Sequence, residues 1–337
     1  MADTMDSPLQ IPAGERLQES FAELKSTLDE VVIGQQALIE RLLIAILADG
    51  HLLVEGAPGL AKTTAIKELA SRIDTDFHRV QFTPDLLPAD LTGTEIFRPQ
   101  TGSFEFEQGP LFHNIVLADE VNRAPAKVQS ALLEAMGERQ ITIGRRTWPL
   151  PRLFMVMATQ NPIEQEGTFP LPEAQLDRFL MHVKVGYPEA GSERAILELA
   201  RQRAREESAA TTVVPVRLLT QDDVFAARKA VLDIHLADPL AEYIVQLILA
   251  TRDASPWDAE AARWIAWGAS PRGSIALERS ARAHAWLAGR DYVLPEDVHA
   301  VVHDVLRHRV LLGYEAETEG VRVDDVIRRL IERVPLP

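Results

Sequence analysis

The stretch His51-Leu52-Leu53-Val54-Glu55-Gly56-Ala57-Pro58-Gly59-Leu60-Ala61-Lys62-Thr63 decides how this chain folds. Its first five residues are a short apolar run that meets turn residues, the pattern of a buried strand. Gly56 to Thr63 make a glycine-bearing loop, and Thr64 to Ile73 continue with helical spacing. Strand, loop, Lys-Thr and helix together form a phosphate cradle. Glycines let backbone N–H groups approach phosphate oxygens, and the helix N-terminus adds a favourable dipole. Gly56, Ala57, Pro58, Gly59, Leu60, Ala61, Lys62, Thr63 and Thr64 are therefore the expected binding residues for the phosphates of ATP. Lys62 is expected to reach the β- and γ-phosphates, and Thr63 to offer its hydroxyl to Mg²⁺. Ala61 stands where the pattern has glycine, and alanine reaches positive φ only at a cost.

A second apolar run, Asn114-Ile115-Val116-Leu117-Ala118-Asp119-Glu120, ends in two acids. Strands of a parallel sheet buried on both faces read as continuous apolar stretches, and chemistry gathers at their C-terminal ends. Asp119 is placed to hold the Mg²⁺ water shell, and Glu120 to orient or deprotonate an attacking water. A third run, Leu153 to Ala158, leads into Thr159-Gln160-Asn161-Pro162. Asn161 could hold that water from the far side, although Asn-Pro is also a common way to start a turn.

Composition bounds the rest. The 337 residues allow about two domains. There is no cysteine, which excludes disulfides, thiolate metal sites and cysteine nucleophiles. Fifty acidic against 35 basic residues give a net charge of −15, a surface that repels nucleic-acid phosphates. The one basic cluster is Arg307-His308-Arg309. No apolar run approaches the roughly 20 residues that cross a bilayer, so membrane insertion is not expected. Met1 to Gly14 lack the basic start and apolar stretch of a signal peptide; they read as a disordered tail, and a cytoplasmic location is expected.

The motifs together resemble the AAA+ ATPases, and within them the MoxR family, over Val31 to about Leu330. The resemblance is carried by Glu55 to Thr63, by Asp119-Glu-Val-Asn-Arg-Ala-Pro125 and by Lys127 to Met136. It extends through Ala158-Thr-Gln-Asn-Pro-Ile-Glu-Gln-Glu-Gly167 and Leu171 to Phe179. Alanine at position 61 matches this family. The resemblance implies an α/β fold: a three-layer αβα core around a parallel five-stranded sheet, with an all-helical C-terminal lid. It implies that Asn161 is the sensor-1 residue and that Arg178 is an arginine finger reaching a neighbouring subunit's nucleotide. Read locally, Arg178 could instead pair with Asp177 or Glu173 on an exposed turn. Arg272, in Gly268-Ala-Ser-Pro-Arg-Gly273, matches sensor 2 and could act on its own subunit or on a neighbour. Ile33, Gly34 and Gln35 match the segment packed near adenine. A homo-hexameric ring, a protein client and a partner bearing a von Willebrand factor A domain are implied as well, with chaperone-like work or metal and cofactor insertion as the activity.

Residues 15–210 are expected to form the core. Insertions interrupt it near 84–111, where Ser103-Phe-Glu-Phe-Glu107 alternates after a turn at Gln100-Thr-Gly102, and near 139–151, turning at Gly144. Both read as hairpins; the resemblance implies that they project toward a central channel or a partner, and read locally they could simply stand exposed. Ser192 looks like the N-cap of a helix running to about Glu207, and Ser208 to Pro215 like a linker. Residues 211–337 read as helical, with Trp257, Trp264, Trp267 and Trp286 as core and His299/His303 as a weak metal pair. Two other functions compete with ring hydrolysis. One is an ATP-dependent switch or scaffold with little turnover, which the intact Lys62, Asp119, Glu120, Asn161 and Arg178 disfavour. The other is a DNA-acting motor, which the acidic surface disfavours.

Overall fold

Alternation along the apolar strands explains why both sides of the sheet are covered. Leu52, Val54, Ile115, Leu117, Met155 and Met157 enter one hydrophobic cluster. Leu53, Val116, Ala118, Val156 and Ala158 enter a second. Successive side chains of a strand point to opposite faces, so an unbroken apolar strand needs a layer on each. A computed structural model of the protein describes residues 13–144, 146–162, 167–208 and 216–336.

Helices α1 (Ala13–Val31) and α2 (Gln36–Leu47) lead into β1 (Leu52–Glu55), α3 (Lys62–Arg72), β2 (Phe77–Gln81) and α4 (Pro88–Thr92). The hairpin β3 (Gly93–Arg98) and β4 (Ser103–Gln108) precedes β5 (Ile115–Asp119) and α5 (Ala126–Glu138). A second hairpin, β6 (Gln140–Ile143) and β7 (Arg146–Pro149), precedes β8 (Met155–Gln160), α6 (Glu173–Leu176), β9 (Met181–Lys184) and α7 (Ala190–Ser208). The last part holds α8 (Gln221–Asp233), α9 (Asp238–Arg252), α10 (Ala259–Trp264), β10 (Ile265–Trp267) and α11 (Pro271–Leu287). It ends with α12 (Pro295–Leu306), β11 (Leu311–Leu312), α13 (Tyr314–Glu319) and α14 (Val323–Arg333).

The five-stranded sheet has the order β2-β5-β8-β1-β9, with every pairing parallel. All five C-terminal ends therefore face one edge. The core cluster that backs one face runs on through α8 to α14, so the helical half shares its interior with the sheet.

Several local expectations change. The first helix opens at Ala13, inside the last two residues of the segment read as a tail. Ser192 is not a cap: α7 begins at Ala190, and Glu193 N already donates to Glu189 O at 2.9 Å. Residues 209–215, most of the expected linker, lie outside the described residues, as do 1–12 and 163–166. Trp264 and Trp286 are buried, but Trp267 is 72% exposed. The chain leaves helical spacing at Ile265 to form the β10–β11 ribbon, which turns Trp267 outward. Arg307 and Arg309 form no basic patch; their side chains are 10% and 2% exposed and are paired inward.

Candidate functional site

The loop after β1 and the ends of β2, β5 and β8 converge on a cavity of about 360 Å³. Pro58, Gly59, Leu60, Ala61, Lys62, Thr63 and Thr64 line one side; Arg79, Gln81, Asp119, Glu120, Thr159 and Asn161 line the other. Gly56 and Ala57 do not reach it. Gly56 is needed for a close approach instead, since a Cβ there would lie 2.7 Å from Val185 O. Its carbonyl accepts a hydrogen bond from Lys62 Nζ at 2.5 Å. Burial lowers the Lys62 pKa, and the charges of Asp119, Glu120 and Glu55 oppose that shift.

Two residues that face the cavity sit in the left-handed region. Ala61 has φ 56° and Glu120 has φ 58°. Left-handed backbone costs a residue with a Cβ about 1–2 kcal/mol, and such strain gathers where a site needs one geometry. Ala61 thus adopts the glycine-like conformation despite its methyl, as the N-cap of α3.

The acids are held by a polar chain. Thr159 Oγ1 donates to Asp119 Oδ1 at 2.6 Å and accepts from the Glu120 backbone N–H at 2.9 Å. Arg79 donates to Asp119 Oδ2 at 2.7 and 3.1 Å and to Gln81 Oε1 at 3.1 Å. Gln81 Nε2 in turn donates to Glu120 Oε2 at 2.7 Å, and Arg123 lies 3.0 Å from the same oxygen. Sequence reasoning missed Arg79 and Gln81. Their spacing of two was a usable signal, because β2 pairs with β5 so that Gln81 sits opposite Asp119.

A second cavity of about 450 Å³ lies on the other flank of the loop. Ile33 and Gln35 line it with Tyr187, Pro188, Ile196 and Leu199. Gln35 Nε2 donates to Gly186 O at 3.1 Å. Gly34 has φ 79°, and a Cβ there would meet Pro188 Cβ at 2.9 Å, so glycine serves both turn and close approach. The apolar contribution of α7 had no sequence signal beyond its helical period.

Arg178 and Arg272 lie elsewhere. Both line a groove of about 240 Å³ with Asp177, Arg279 and Arg309, and it shares no described lining residue with the first cavity. Arg178 does not pair with Asp177 or Glu173; its Nη1 donates to Leu133 O within α5. Arg272 Nη1 is 3.8 Å from Asp177 Oδ2, and its side chain is 60% exposed.

Mg²⁺ fits this donor set. Among the described residues no cluster of three or more His, Asp or Glu could cage a metal by itself. The cavity instead offers hydroxyls, Thr63 among them, and the carboxylates of Asp119 and Glu120. Mg²⁺ is commonly held by one or two carboxylates with phosphate oxygens and water. His299 is occupied otherwise, with Nε2 2.8 Å from Tyr243 Oη.

A parallel sheet with a phosphate-type loop after its first strand, two acids at a neighbouring strand end and a helical second half define an ATPase of the AAA class. Residues 51–181 match the ATPase family associated with various cellular activities, and residues 258–330 match the AAA lid domain. Chaperone MoxR1 of Mycobacterium tuberculosis is 44% identical over 95% of this chain and 82% of its own. Protein MoxR of Paracoccus denitrificans is 36% identical over 94% of this chain and 96% of its own. A solved structure from Cytophaga hutchinsonii is 45% identical, with a TM-score of 0.87 over 96% of this chain and 97% of that one. The chain therefore belongs to the MoxR family of AAA ATPases, a nucleotide-binding family. Among the described residues no helix is long and apolar enough to cross a membrane.

Proposed function

We propose that this chain hydrolyses ATP as one subunit of a ring, each active site being completed by its neighbour. The observation that carries the reading is the division of labour between two surfaces. Lys62, Thr63, Asp119, Glu120 and Asn161 share one cavity, whereas Arg178 and Arg272 share a separate groove. On this reading Lys62 exchanges the Gly56 carbonyl for β- and γ-phosphate oxygens. Thr63 and Asp119 would hold Mg²⁺, which would supply charge compensation on the phosphates. Glu120 orients or deprotonates the water, with Asn161 on the water's far side. An inserted guanidinium offsets charge on the transferring phosphoryl group and contributes about 10³ to 10⁵ in rate. The shared groove favours Arg272 acting with Arg178 on a neighbour rather than on its own subunit.

The second cavity fits the base and ribose, with Ile33 and Gln35 on one wall. The work done with this energy is proposed as remodelling or maturation of a protein client, since a relative 44% identical is named a chaperone. A partner with a von Willebrand factor A domain, insertion of a metal or cofactor and a cytoplasmic location belong to the same proposal and rest on the family resemblance. ATPase rate measured against protein concentration, with sedimentation of the same samples, tests the ring. Specific activity should climb as a hexamer-sized species forms; constant activity from a monomer would mean that one chain holds a complete site.

A further inference from the structure

Arg309 is charged yet lies in the interior, its side chain 2% exposed. A buried guanidinium is tolerated when its donors are all met, and its planar fork can serve several acceptors at once. Here Nε donates to Asp177 Oδ1 at 2.8 Å. Nη2 donates to Phe179 O at 2.6 Å and Asp177 O at 3.3 Å. Nη1 donates to Leu180 O at 3.1 Å and Val305 O at 2.5 Å. One side chain, following α12, therefore grips the backbone on both sides of Arg178.

The same carboxylate reaches the second guanidinium. Asp177 Oδ2 accepts from Ser270 Oγ at 2.8 Å. Ser270 is the N-cap of α11, and its Oγ accepts from the Arg272 backbone N–H at 3.1 Å. The start of α11 also packs on Arg309: a Cβ at Gly273 would lie 3.4 Å from Arg309 Cδ. Arg178 comes from the sheet-bearing half and Arg272 from the helical half; Asp177, next to Arg178 in the chain, joins the halves with one oxygen on Arg309 and the other on Ser270.

We propose that Arg309 is a positioning residue for the shared active site. With Asp177 and Ser270 it sets Arg178 and Arg272 at a fixed separation, so that both halves of a subunit present one rigid pair of guanidiniums to the neighbour's nucleotide. The inference rests on the reading of a site shared between subunits. Its chemical logic is geometric: a displacement of about 1 Å in a group that meets the transition state can cost about 10²-fold in rate.

Arg309→Lys keeps the charge and removes the fork. Its affinity for a fluorescent ATP analogue and its KM should stay near the parent's, because its own cavity is untouched, while kcat falls about 10²-fold. Mixing Arg309→Lys with Glu120→Gln subunits should restore hydrolysis, since Glu120→Gln subunits supply well-placed guanidiniums to intact cavities. A subunit damaged in its own fold would gain nothing from such mixing. Arg178→Ala mixed with Glu120→Gln is the control. Recovery in the control but none for Arg309→Lys, or a parental kcat in Arg309→Lys, overturns the positioning role and leaves the shared site standing. No recovery in the control, with co-assembly demonstrated, overturns the shared site and this inference with it. Should Arg309→Lys fail to fold, Ser270→Ala decides, as it removes the hydroxyl that caps α11 and meets Asp177 while Arg309 stays in place. A lowered kcat with unchanged KM, recovered by mixing, supports the proposal; a parental kcat refutes it.

Discussion

The ammonium of Lys62 is turned onto a backbone carbonyl, yet it lies within the field of Asp119 and Glu120. Lys62→Ala should therefore abolish nucleotide binding in a calorimetric titration; tight retained binding would show that the loop is not the phosphate site. Glu120→Gln keeps the shape of the side chain and loses only the base. It should bind ATP as the parent does while turnover falls by about 10²-fold or more. Ala61 carries the strain of φ 56°. Ala61→Gly relieves that strain but adds freedom to the unfolded chain, so denaturant unfolding should show a net gain of no more than about 1 kcal/mol.

Each insertion is a hairpin, and the two meet at aromatic rings. In β3–β4 Phe104 pairs with Phe97 and Phe106 with Glu95, which puts Phe104 and Phe106 on one face. Phe106 stacks on Trp148 of β7 with centroids 4.8 Å apart and packs edge-on against Phe112 at 5.5 Å. The exposed pair Phe97 and Phe104, at 5.2 Å, extends that face into solvent. A double-mutant cycle on Phe106 and Trp148 should return a coupling of about 0.5–1.5 kcal/mol. A value near zero would mean the hairpins move independently. Alternation and turn residues made each hairpin legible in the sequence. Their stacking was not, because which ring of one hairpin faces the other depends on how both leave the sheet.

Stability of the whole molecule depends on histidines that must remain neutral. Burial, with help from Arg139, lowers His51 from 6.5 to about 4. Its Nδ1 accepts from the Val156 backbone N–H at 3.0 Å and so cannot carry a proton. His308, buried and beside Arg309, is also held well below the usual histidine range. A histidine with a depressed folded pKa contributes stability that is fully present above 6.5, its unfolded value, and is lost as pH falls toward the folded value near 4. Urea midpoints should therefore hold from pH 8 to 7 and then drop below about pH 6.5, by about 1.4 kcal/mol per pH unit for each such histidine. A flat response down to pH 5 would refute this.

The amino-acid sequence by itself determined the parallel sheet, the phosphate loop and the two acids, because each is a contiguous element with its chemistry at one end. Thirteen consecutive residues from His51 to Thr63 suffice for strand, loop and helix start. The helical half was legible for the same reason: caps and apolar period are local, as at Thr220 with Asp223 opening α8. Only the tertiary structure decided what surrounds them. Arg79 reaches Asp119 across 40 residues, and Arg309 reaches Asp177 across 132. Contacts of that span depend on strand register and on how the helical half closes over the sheet. A side chain's partner is then set by packing rather than by its neighbours in the chain, which is why Arg309 reads as surface charge in the sequence and is buried in the folded protein.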